Sequence, residues 1–234
     1  MNAAIDVGNT SIKIGFFDGK ELKSIHEKVE EKEAIALLTT HRPKKIALSI
    51  VGKTNPAWID YLKTIAQTII LEGKMPLPIR NKYATPETLG TDRIAAVIGA
   101  RALFPEGALL VIDLGTCITY DFLTSHNEYL GGAISPGMTM RFKAMHLFTA
   151  RLPLGEPTEH LPLVGNSTLS CLQAGVIHGI TFEINGMIEA YCSQLEKFTV
   201  ILCGGDAKFF ETKIKYPNFV ASNLVLYGLN ALLL

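Results

Sequence analysis

Both halves of the sequence begin with the same short pattern. An apolar strand leads into Asp6-Val7-Gly8, and the pattern returns as Asp113-Leu114-Gly115, so that the two aspartates lie 107 positions apart. A β-rich segment follows each copy, at residues 12–17 and 118–123. Because self-similarity at a fixed spacing indicates a duplicated structural unit, the chain is predicted to form two related lobes that face each other across a cleft.

The repeated turn has a chemistry of its own. In each copy the strand brings one aspartate to the mouth of a hairpin, and the next glycine can adopt a positive φ that exposes backbone N–H groups. Thr116, and Asn9-Thr10 in the first copy, add further donors, so such a turn can hold a phosphate. One copy alone is also typical of an ordinary hairpin. Two copies at matched positions favour phosphate binding.

A third glycine-rich element follows the apolar strand at 200–203 and consists of Gly204-Gly205-Asp206. Paired glycines let a flat ring lie against the backbone, and the start of the following helix favours anionic groups. The alternative is a plain strand-to-helix turn with Asp206 as the N-cap. The sequence has no Walker A motif and no G-x-G-x-x-G after a strand, which excludes the P-loop and the usual dinucleotide-binding folds.

The charge balance narrows the range of partners. Lys+Arg 22 and Asp+Glu 22 cancel, so we expect neither a nucleic acid nor a membrane as a partner. The apolar stretch at 224–234 is about half as long as a membrane span and predicts a buried terminal helix. Met1 leads directly into a strand without an export pattern, so a cytoplasmic location is expected. The four cysteines lack C-x-x-C spacing and are expected to be reduced, mostly buried thiols.

Strand and helix patterns alternate along the chain, which is typical of α/β proteins. Residues 73–89 contain three prolines and no clean period, so they are predicted to form a surface excursion, and long loops in compact domains are usually functional. Asn55 and Pro56 predict the cap and the first position of one helix. The pattern predicts strands at 3–6, 11–18, 22–27 and 46–51, and helices at 30–40, 56–66, 91–103 and 168–190.

Six short motifs, taken in order, resemble those of the type III pantothenate kinases. That family belongs to the superfamily of acetate and sugar kinases, actin and the heat-shock chaperone ATPases. The resemblance extends over nearly the whole chain. The motifs are Asp6-Val7-Gly8-Asn9-Thr10, Gly90-Thr91-Asp92-Arg93, Asp113-Leu114-Gly115-Thr116, Gly131-Gly132-Ala133-Ile134-Ser135-Pro136-Gly137, Gly165-Asn166-Ser167-Thr168 and Cys203-Gly204-Gly205-Asp206-Ala207.

By this resemblance the fold class is α/β, with two related actin-like (ribonuclease H-like) lobes, mixed sheets flanked by helices, and an ATP cleft between the lobes. The lobes would span residues 1–106 and 107–234, with a terminal helix at 223–234 that packs back on the first lobe. The implied reaction is the ATP-dependent phosphorylation of pantothenate to 4′-phosphopantothenate, the first step of coenzyme A biosynthesis. Members of the family assemble as homodimers whose substrate pocket is completed near the subunit interface.

The resemblance also implies the role of each site residue. Asp92 would be the proton acceptor, and Asp113 would bind a monovalent cation, K⁺ or NH₄⁺. Gly204 and Gly205 would lie near the adenine, and ATP would carry Mg²⁺. The residues in contact with the ATP phosphates would be Asp6, Val7, Gly8, Asn9, Thr10, Ser11, Ile12, Lys13 and Thr116. The residues lining the pantothenate pocket would be Tyr83, Gly90, Thr91, Asp92, Arg93 and Thr168.

Asp92 suits general-base chemistry, because a carboxylate near the acceptor hydroxyl orients it and takes its proton, which typically contributes ~10²- to 10⁴-fold. The alternative is that Thr91 or Asp92 only caps the helix that begins there. The guanidinium fork of Arg93 matches the pantothenate carboxylate, although a lone arginine in a first helical turn is more often a surface residue. Thr168 is expected both to donate to the substrate and to cap the long helix.

Two other functions remain open at this point. One is a different small-molecule kinase of the same superfamily, because the phosphate turns are shared whereas the acceptor pocket is not. The other is a non-catalytic regulatory relative, which the joint presence of Asp6, Asp92 and Asp113 disfavours. The chain also departs from the family at Cys203, where a threonine is common, and at Cys117, a usually small or hydroxylic position.

Overall fold

The computed structural model of the chain describes residues 1–8 and 11–234. The chain divides into two compact units. The first comprises Met1–Gly107, Phe122–Gly131 and Asn223–Leu234, and the second comprises Ala108–Asp121 and Gly132–Ser222. The two ends of the chain therefore belong to the same unit.

Strands and helices alternate through most of the chain. The strands are β1 (Asn2–Val7), β2 (Ile12–Asp18), β3 (Glu21–Val29), β4 (Lys45–Ile50), β5 (Gln67–Ile70), β6 (Arg80–Asn81), β7 (Ala108–Leu114), β8 (Cys117–Leu123), β9 (Glu128–Pro136), β10 (Phe198–Cys203) and β11 (Asn218–Val220). The helices are α1 (Glu31–His41), α2 (Pro56–Ile65), α3 (Thr91–Leu103), α4 (Met138–Phe148), α5 (Thr168–Gln194), α6 (Ala207–Glu211) and α7 (Leu224–Ala231).

The first sheet has five strands in the order β3-β2-β1-β4-β5. Its central strand β1 pairs antiparallel with β2, with Asn2 opposite Phe17, and parallel with β4, with Asn2 opposite Lys45. Residues 3–5 are fully buried, as expected for a strand that is covered on both faces. Trp58 and Leu62 of α2 pack into the same core.

The helices of the first unit have identifiable local determinants. Asn55 caps α2 as predicted, because its Oδ1 accepts a hydrogen bond from Ala57 N at 3.0 Å. Helices α3 and α7 approach each other through their backbones at Gly99 and Gly228. A Cβ at Gly99 would lie 2.0 Å from Leu224 O, and one at Gly228 would lie 1.8 Å from Ala95 O. Only glycine permits so close an approach.

The second sheet has six strands in the order β11-β10-β7-β8-β9-β6. β7 and β10 are parallel, with Asp113 opposite Cys203, and β10 is also parallel with β11. The two-residue connection between β7 and β8 requires these neighbours to be antiparallel. β6 pairs with β9, with Arg80 opposite Glu128, so the irregular segment 73–89 contributes one short strand.

The two sheets repeat one strand order. In each sheet the strand that carries the motif aspartate, β1 or β7, has the next two strands on one side, and β4-β5 or β10-β11 on the other. Helices flank both mixed sheets. The predicted α/β class with two related lobes is therefore confirmed, and the internal sequence repeat corresponds to a repeat of topology.

The predicted helices and strands lie within a few residues of their observed bounds. The prediction of mostly buried cysteines is wrong, because Cys171 and Cys192 are exposed and only Cys203 is buried. Both exposed thiols belong to α5, Cys171 near its start and Cys192 near its end. Within residues 1–8 and 11–234, every helix is too short or too polar to cross a membrane.

Candidate active site

The first aspartate hairpin lies between β1 and β2. Gly8 N donates to Ser11 O at 3.1 Å, which closes the turn, and a Cβ at Gly8 would lie 3.3 Å from the same oxygen. Gly8 does not have the positive φ that we predicted, so its role is to leave room for a tight backbone contact. Asn9 and Thr10, both predicted to contact phosphate, lie outside the described residues.

Lys13 lies on β2 opposite Asp6 in the strand register. Its Nζ forms an ion pair with Glu27 at 2.8 Å and donates to Asn223 Oδ1 at 3.2 Å. The hydrogen bond and the charge of Lys13 lower the pKa of Glu27 below its usual range. Lys13 is thus held at the mouth of the first hairpin by one carboxylate and one amide.

The segment that contains the candidate base begins beside this hairpin. The Thr91 hydroxyl lies 3.0 Å from Ser49 Oγ and accepts a hydrogen bond from Ile50 N at 3.2 Å. Ser49 is the partner of Asp6 in the β1–β4 pairing, and Ile50 is the partner of Val7. The start of α3 is therefore bonded to the strand next to the end of β1, which brings Gly90–Arg93 and the first hairpin together.

Asp92 lies in the first turn of α3, and its Oδ1 accepts a hydrogen bond from Arg93 N at 2.8 Å. Gly90 occupies the N-cap position, where it has no side chain to make a cap bond. A Cβ at Gly90 would lie 2.5 Å from Asp92 Oδ1, so the glycine leaves room for the carboxylate itself. Thr91 does not cap the helix, because its hydroxyl is bonded to β4.

Arg93 is 6% exposed, and its guanidinium lies over the Tyr83 ring at 5.8 Å from the centroid. The Tyr83 ring in turn stacks on Tyr129 at 6.3 Å. A Cβ at Gly131 would lie 2.9 Å from Tyr83, so the position of this ring requires glycine there. The interpretation of Arg93 as a surface residue is wrong. Arg93 is buried, and its guanidinium contacts the half-buried ring of the predicted substrate residue Tyr83.

The second hairpin, between β7 and β8, holds Asp113 among small neighbours. Cys203 Sγ donates to Asp113 Oδ2 at 3.3 Å. A Cβ at Gly115 would lie 2.9 Å from Asp113 Oδ1, and one at Gly204 would lie 2.6 Å from the same oxygen. These two glycines therefore leave space around Oδ1, which we call the glycine cradle. Thr116 is exposed at the tip of this hairpin.

The turn after β10 contains the predicted adenine-contact glycines. Gly204 has a φ of +88°, which strongly favours glycine, and Asp206 N donates to Leu114 O at 2.9 Å. A Cβ at Gly205 would meet no described atom within 4 Å, so one side of this turn is open. Asp206 occupies the N-cap position of α6 but makes no side-chain cap bond. Burial raises the pKa of its carboxyl.

Thr168 begins α5, away from the hairpins in the sequence. The cap of this helix is Ser167, which forms a reciprocal capping box with Ser170, so the prediction that Thr168 caps the helix is wrong. Thr168 is exposed and lines a groove of about 730 Å³. The other residues that line this groove are Met145, Leu152, Gly165, Asn166, Ser167, Cys171, Leu172 and Gly175.

The sequence reasoning missed Ser49, which connects the start of α3 to β4. The available sequence signal was one hydroxyl residue within the otherwise apolar strand pattern, because a polar group in a buried strand is normally hydrogen-bonded. Ser49 is fully buried in the structure. The described residues contain no group of three or more His, Cys, Asp or Glu side chains placed to hold a metal ion. At the glycine cradle, a Cβ at Gly204 would lie 2.6 Å from both Asp113 Oδ1 and Leu114 O, so one carboxylate and one backbone carbonyl face the same glycine.

Comparison with known proteins identifies the family. The family model for type III pantothenate kinase matches residues 3–190. The type III pantothenate kinase of Cytophaga hutchinsonii is 43% identical over 233 residues, covering 100% of this chain and 98% of the relative. That of Bacteroides fragilis is 40% identical over 238 residues, with 100% and 97% covered.

Solved structures support the fold. A conserved Campylobacter jejuni protein named for the Baf family of transcriptional activators has a TM-score of 0.65 at 23% identity, with 99% and 96% of the two chains covered. The inorganic polyphosphate/ATP-glucomannokinase of an Arthrobacter strain has a TM-score of 0.51 at 15% identity, with 98% and 96% covered. At these identities the likeness shows a shared fold. With the family-model match and the full-length relatives, these observations show that the chain belongs to the type III pantothenate kinase family.

Proposed function

We propose that this chain transfers the γ-phosphoryl group of ATP to the 4′-hydroxyl of pantothenate, the first step of coenzyme A biosynthesis. The observation that carries the proposal is the bonding of Thr91 to Ser49 and Ile50. Ser49 and Ile50 are the strand partners of Asp6 and Val7. The Asp92 carboxylate at the start of α3 and the first aspartate hairpin therefore lie in one region of the first unit. Family membership supports the same reaction.

Asp92 is the proposed proton acceptor. Phosphoryl transfer passes through a largely dissociative transition state, so the protein contributes mainly alignment and charge compensation. A carboxylate held in a fixed position orients the acceptor hydroxyl and takes its proton late in the reaction. The bond from Arg93 N to one oxygen of Asp92 fixes the carboxylate, while Gly90 leaves room for it.

Arg93 is the proposed partner of the pantothenate carboxylate. Its burial and its position over Tyr83 mean that the guanidinium is preorganised, and a planar fork suits bidentate pairing with a carboxylate. Tyr83, Gly90 and Thr91 are proposed to line the same pocket. Thr168 is the remaining proposed substrate residue, and its exposure on the groove at the start of α5 is compatible with that role.

Each aspartate hairpin is proposed to carry residues that contact ATP. Backbone N–H groups at residues 6–13 and the hydroxyl of Thr116 would contact phosphates, and the open side of Gly205 would receive the adenine. When bound, Mg²⁺ neutralises charge that develops on the phosphates. Because no acidic or histidine cluster is present among the described residues, the ion would accompany ATP rather than occupy an all-protein cage.

Asp113 is proposed to hold a monovalent cation, K⁺ or NH₄⁺. Two aspartates near a polyphosphate repel it, and the motif of Asp113 contains no lysine or arginine to balance the charge. The glycine cradle leaves space at Asp113 Oδ1, and the carboxylate and backbone carbonyls suit a hard, weakly hydrated cation. The residues present therefore fit such an ion.

The test of the proposed function is ADP release by the purified chain. With Mg·ATP and potassium we expect turnover with pantothenate, and background rates with acetate, glucose or glycerol. Mass spectrometry of the product identifies 4′-phosphopantothenate. A preference for one of the other acceptors would assign the chain to another small-molecule kinase, and absence of turnover with any acceptor would favour a regulatory relative.

A homodimer in the cytoplasm is the proposed state of the protein. The second unit exposes several large apolar side chains, and exposed apolar surface of this kind often marks a protein interface. The most exposed are Leu147 73%, Phe148 88%, Leu163 70%, Val164 81% and Phe182 62%. Light scattering at the assay concentration is expected to give the mass of two chains, and an active monomer would contradict the proposal.

A further inference from the structure

A cluster of polar side chains in the second unit has no part in the mechanism above. Glu183 Oε1 accepts hydrogen bonds from Ser135 Oγ at 2.6 Å and from Tyr120 Oη at 3.0 Å, and Glu183 Oε2 accepts one from Arg141 Nη2. Arg141 also donates to Ser135 Oγ at 3.0 Å and, through Nε, to Pro136 O at 2.8 Å. These bonds join β8, β9, α4 and α5.

The groups of this cluster keep the protonation states that the bonds require. Burial alone would raise the pKa of Glu183, but the hydrogen bonds from Ser135 and Arg141 and the charge of Arg141 outweigh it and lower the pKa. Burial, followed by the Glu183 charge, raises the pKa of Tyr120. Glu183 is therefore ionised and Tyr120 protonated at neutral pH. Charge-assisted bonds of this kind are among the strongest in proteins.

The cluster fixes the turn at Ser135–Gly137, between β9 and α4. Gly137 N donates to Thr116 O at 3.1 Å, and Arg141 N donates to Gly137 O at 3.0 Å. A Cβ at Gly137 would lie 2.3 Å from Gly115 O and 2.6 Å from Thr116 O. The turn is therefore in direct contact with the backbone of the second hairpin, and no side chain fits at Gly137.

We propose that Glu183 and Arg141 are positioning residues for the Gly115-Thr116 hairpin. They hold the turn at Ser135–Gly137 against the hairpin and so preorganise the donors that the hairpin offers to the ATP phosphates. This inference rests on the proposed role of Thr116. Because preorganisation lowers the cost of ordering a site at the moment of binding, loss of the Glu183 charge weakens the binding of ATP.

The principal test is Glu183→Gln, with Glu189→Gln as the matched control, because Glu189 is exposed on the same helix. We expect the Kd for ATP, measured by calorimetry, and its KM to rise about 5- to 20-fold in Glu183→Gln. The KM for pantothenate is expected to stay within about twofold of its original value, because the lost interaction concerns the nucleotide only. Hydrogen exchange in a peptide spanning 132–142 should accelerate, whereas a peptide spanning 198–206 should not change.

A second variant keeps the test decisive if Glu183→Gln does not fold. Ser135→Ala removes the bonds at 2.6 Å to Glu183 and at 3.0 Å from Arg141 but retains the pair between Arg141 and Glu183, so the same pattern is expected with a smaller rise, about 2- to 5-fold. Unchanged ATP affinity with unchanged exchange at 132–142 would overturn the inference, as would an equal rise in both KM values. The original chain tests the proposed function separately. If the original chain does not release ADP with pantothenate, the proposed function is refuted, whereas the positioning role is decided by ATP affinity and hydrogen exchange.

Discussion

The two aspartate hairpins have the same place in their sheets but different surroundings. The first carries Lys13, paired with Glu27, and adjoins the strand to which Thr91 is bonded. The second has no lysine or arginine between residues 113 and 123, and its aspartate lies among Cys203 and two glycines. The backbone framework is the same in both copies, and the residues that surround each copy make the two copies different. This difference supports the proposal that the first copy adjoins the acceptor chemistry and that the second copy serves charge compensation.

The variant Asp92→Asn provides the strongest test of this difference. The asparagine keeps the size of the side chain and still accepts the bond from Arg93 N, but it cannot take the proton. We expect kcat to fall by ~10²-fold or more while ATP binding is retained. Asp60→Asn, at an aspartate whose side chain is 77% exposed on α2, serves as the control and should leave kcat unchanged. Near-normal turnover in Asp92→Asn would return this residue to a purely structural role.

The surroundings of the second hairpin, which include Gly204 in the turn after β10, are predicted to be less tolerant of added side chains than the first hairpin. Gly204→Ala combines a φ of +88° with a Cβ placed 2.5 Å from the carbonyl carbon of Leu114, so we expect it to lower the free energy of unfolding by about 2 kcal/mol or more. Gly107→Ala, with a φ of +74° and open space, isolates the backbone strain and should cost about 1 kcal/mol.

Gly8→Ala adds a Cβ in the first hairpin, where φ is not positive and the nearest contact is 3.3 Å. Its cost in the free energy of unfolding should be at most about 1 kcal/mol. Urea unfolding of the three glycine variants provides the measurement. A loss in Gly8→Ala as large as that in Gly204→Ala would show that the first hairpin is no more tolerant of an added side chain than the turn beside Asp113.

Potassium dependence tests the charge compensation assigned to the second copy. Replacing potassium by tetramethylammonium at constant ionic strength should lower the activity by about tenfold or more, equivalent to about 1.4 kcal/mol, and adding potassium back should restore it. Asp113→Ala should abolish both the response and most of the activity. A rise in Tm on adding potassium to the original chain, absent in Asp113→Ala, is the readout that does not depend on turnover. Full activity without any small monovalent cation would contradict the assignment.

The smallest expected effect concerns the ion pair of the first copy. Lys13 holds the pKa of Glu27 in the folded protein below its ordinary value of 4.5. The ionised carboxylate therefore stabilises the protein above pH 4.5, and this stabilisation is lost as the pH falls through the lowered pKa. The Glu27 side chain is 57% exposed, so Glu27→Gln should cost at most about 0.5 kcal/mol at pH 7. Urea unfolding should show this difference at neutral pH and none below the folded pKa. A difference that persists at low pH would indicate an origin other than this ion pair.

The features that the sequence predicted correctly are local or repeated. The cap of α2 depends on Asn55 and Pro56 alone, and the two related lobes follow from a strand, aspartate and glycine pattern that occurs twice. Hydrophobic patterns along single strands and helices predicted most of the bounds of these elements. Such features are readable because neighbours in the sequence determine them.

The features that the sequence did not reveal depend on residues far apart in the chain. The Arg93 guanidinium lies over the Tyr83 ring, and the Thr91 hydroxyl lies beside that of Ser49, 42 positions earlier. Arg141 and Glu183, on different helices, are also 42 positions apart. No local pattern specifies these pairs, because their free energy arises only when the packed sheets and helices bring the side chains into contact. The sequence by itself determined the duplicated framework and its candidate chemistry, and the tertiary structure decided which neighbours hold each group in place.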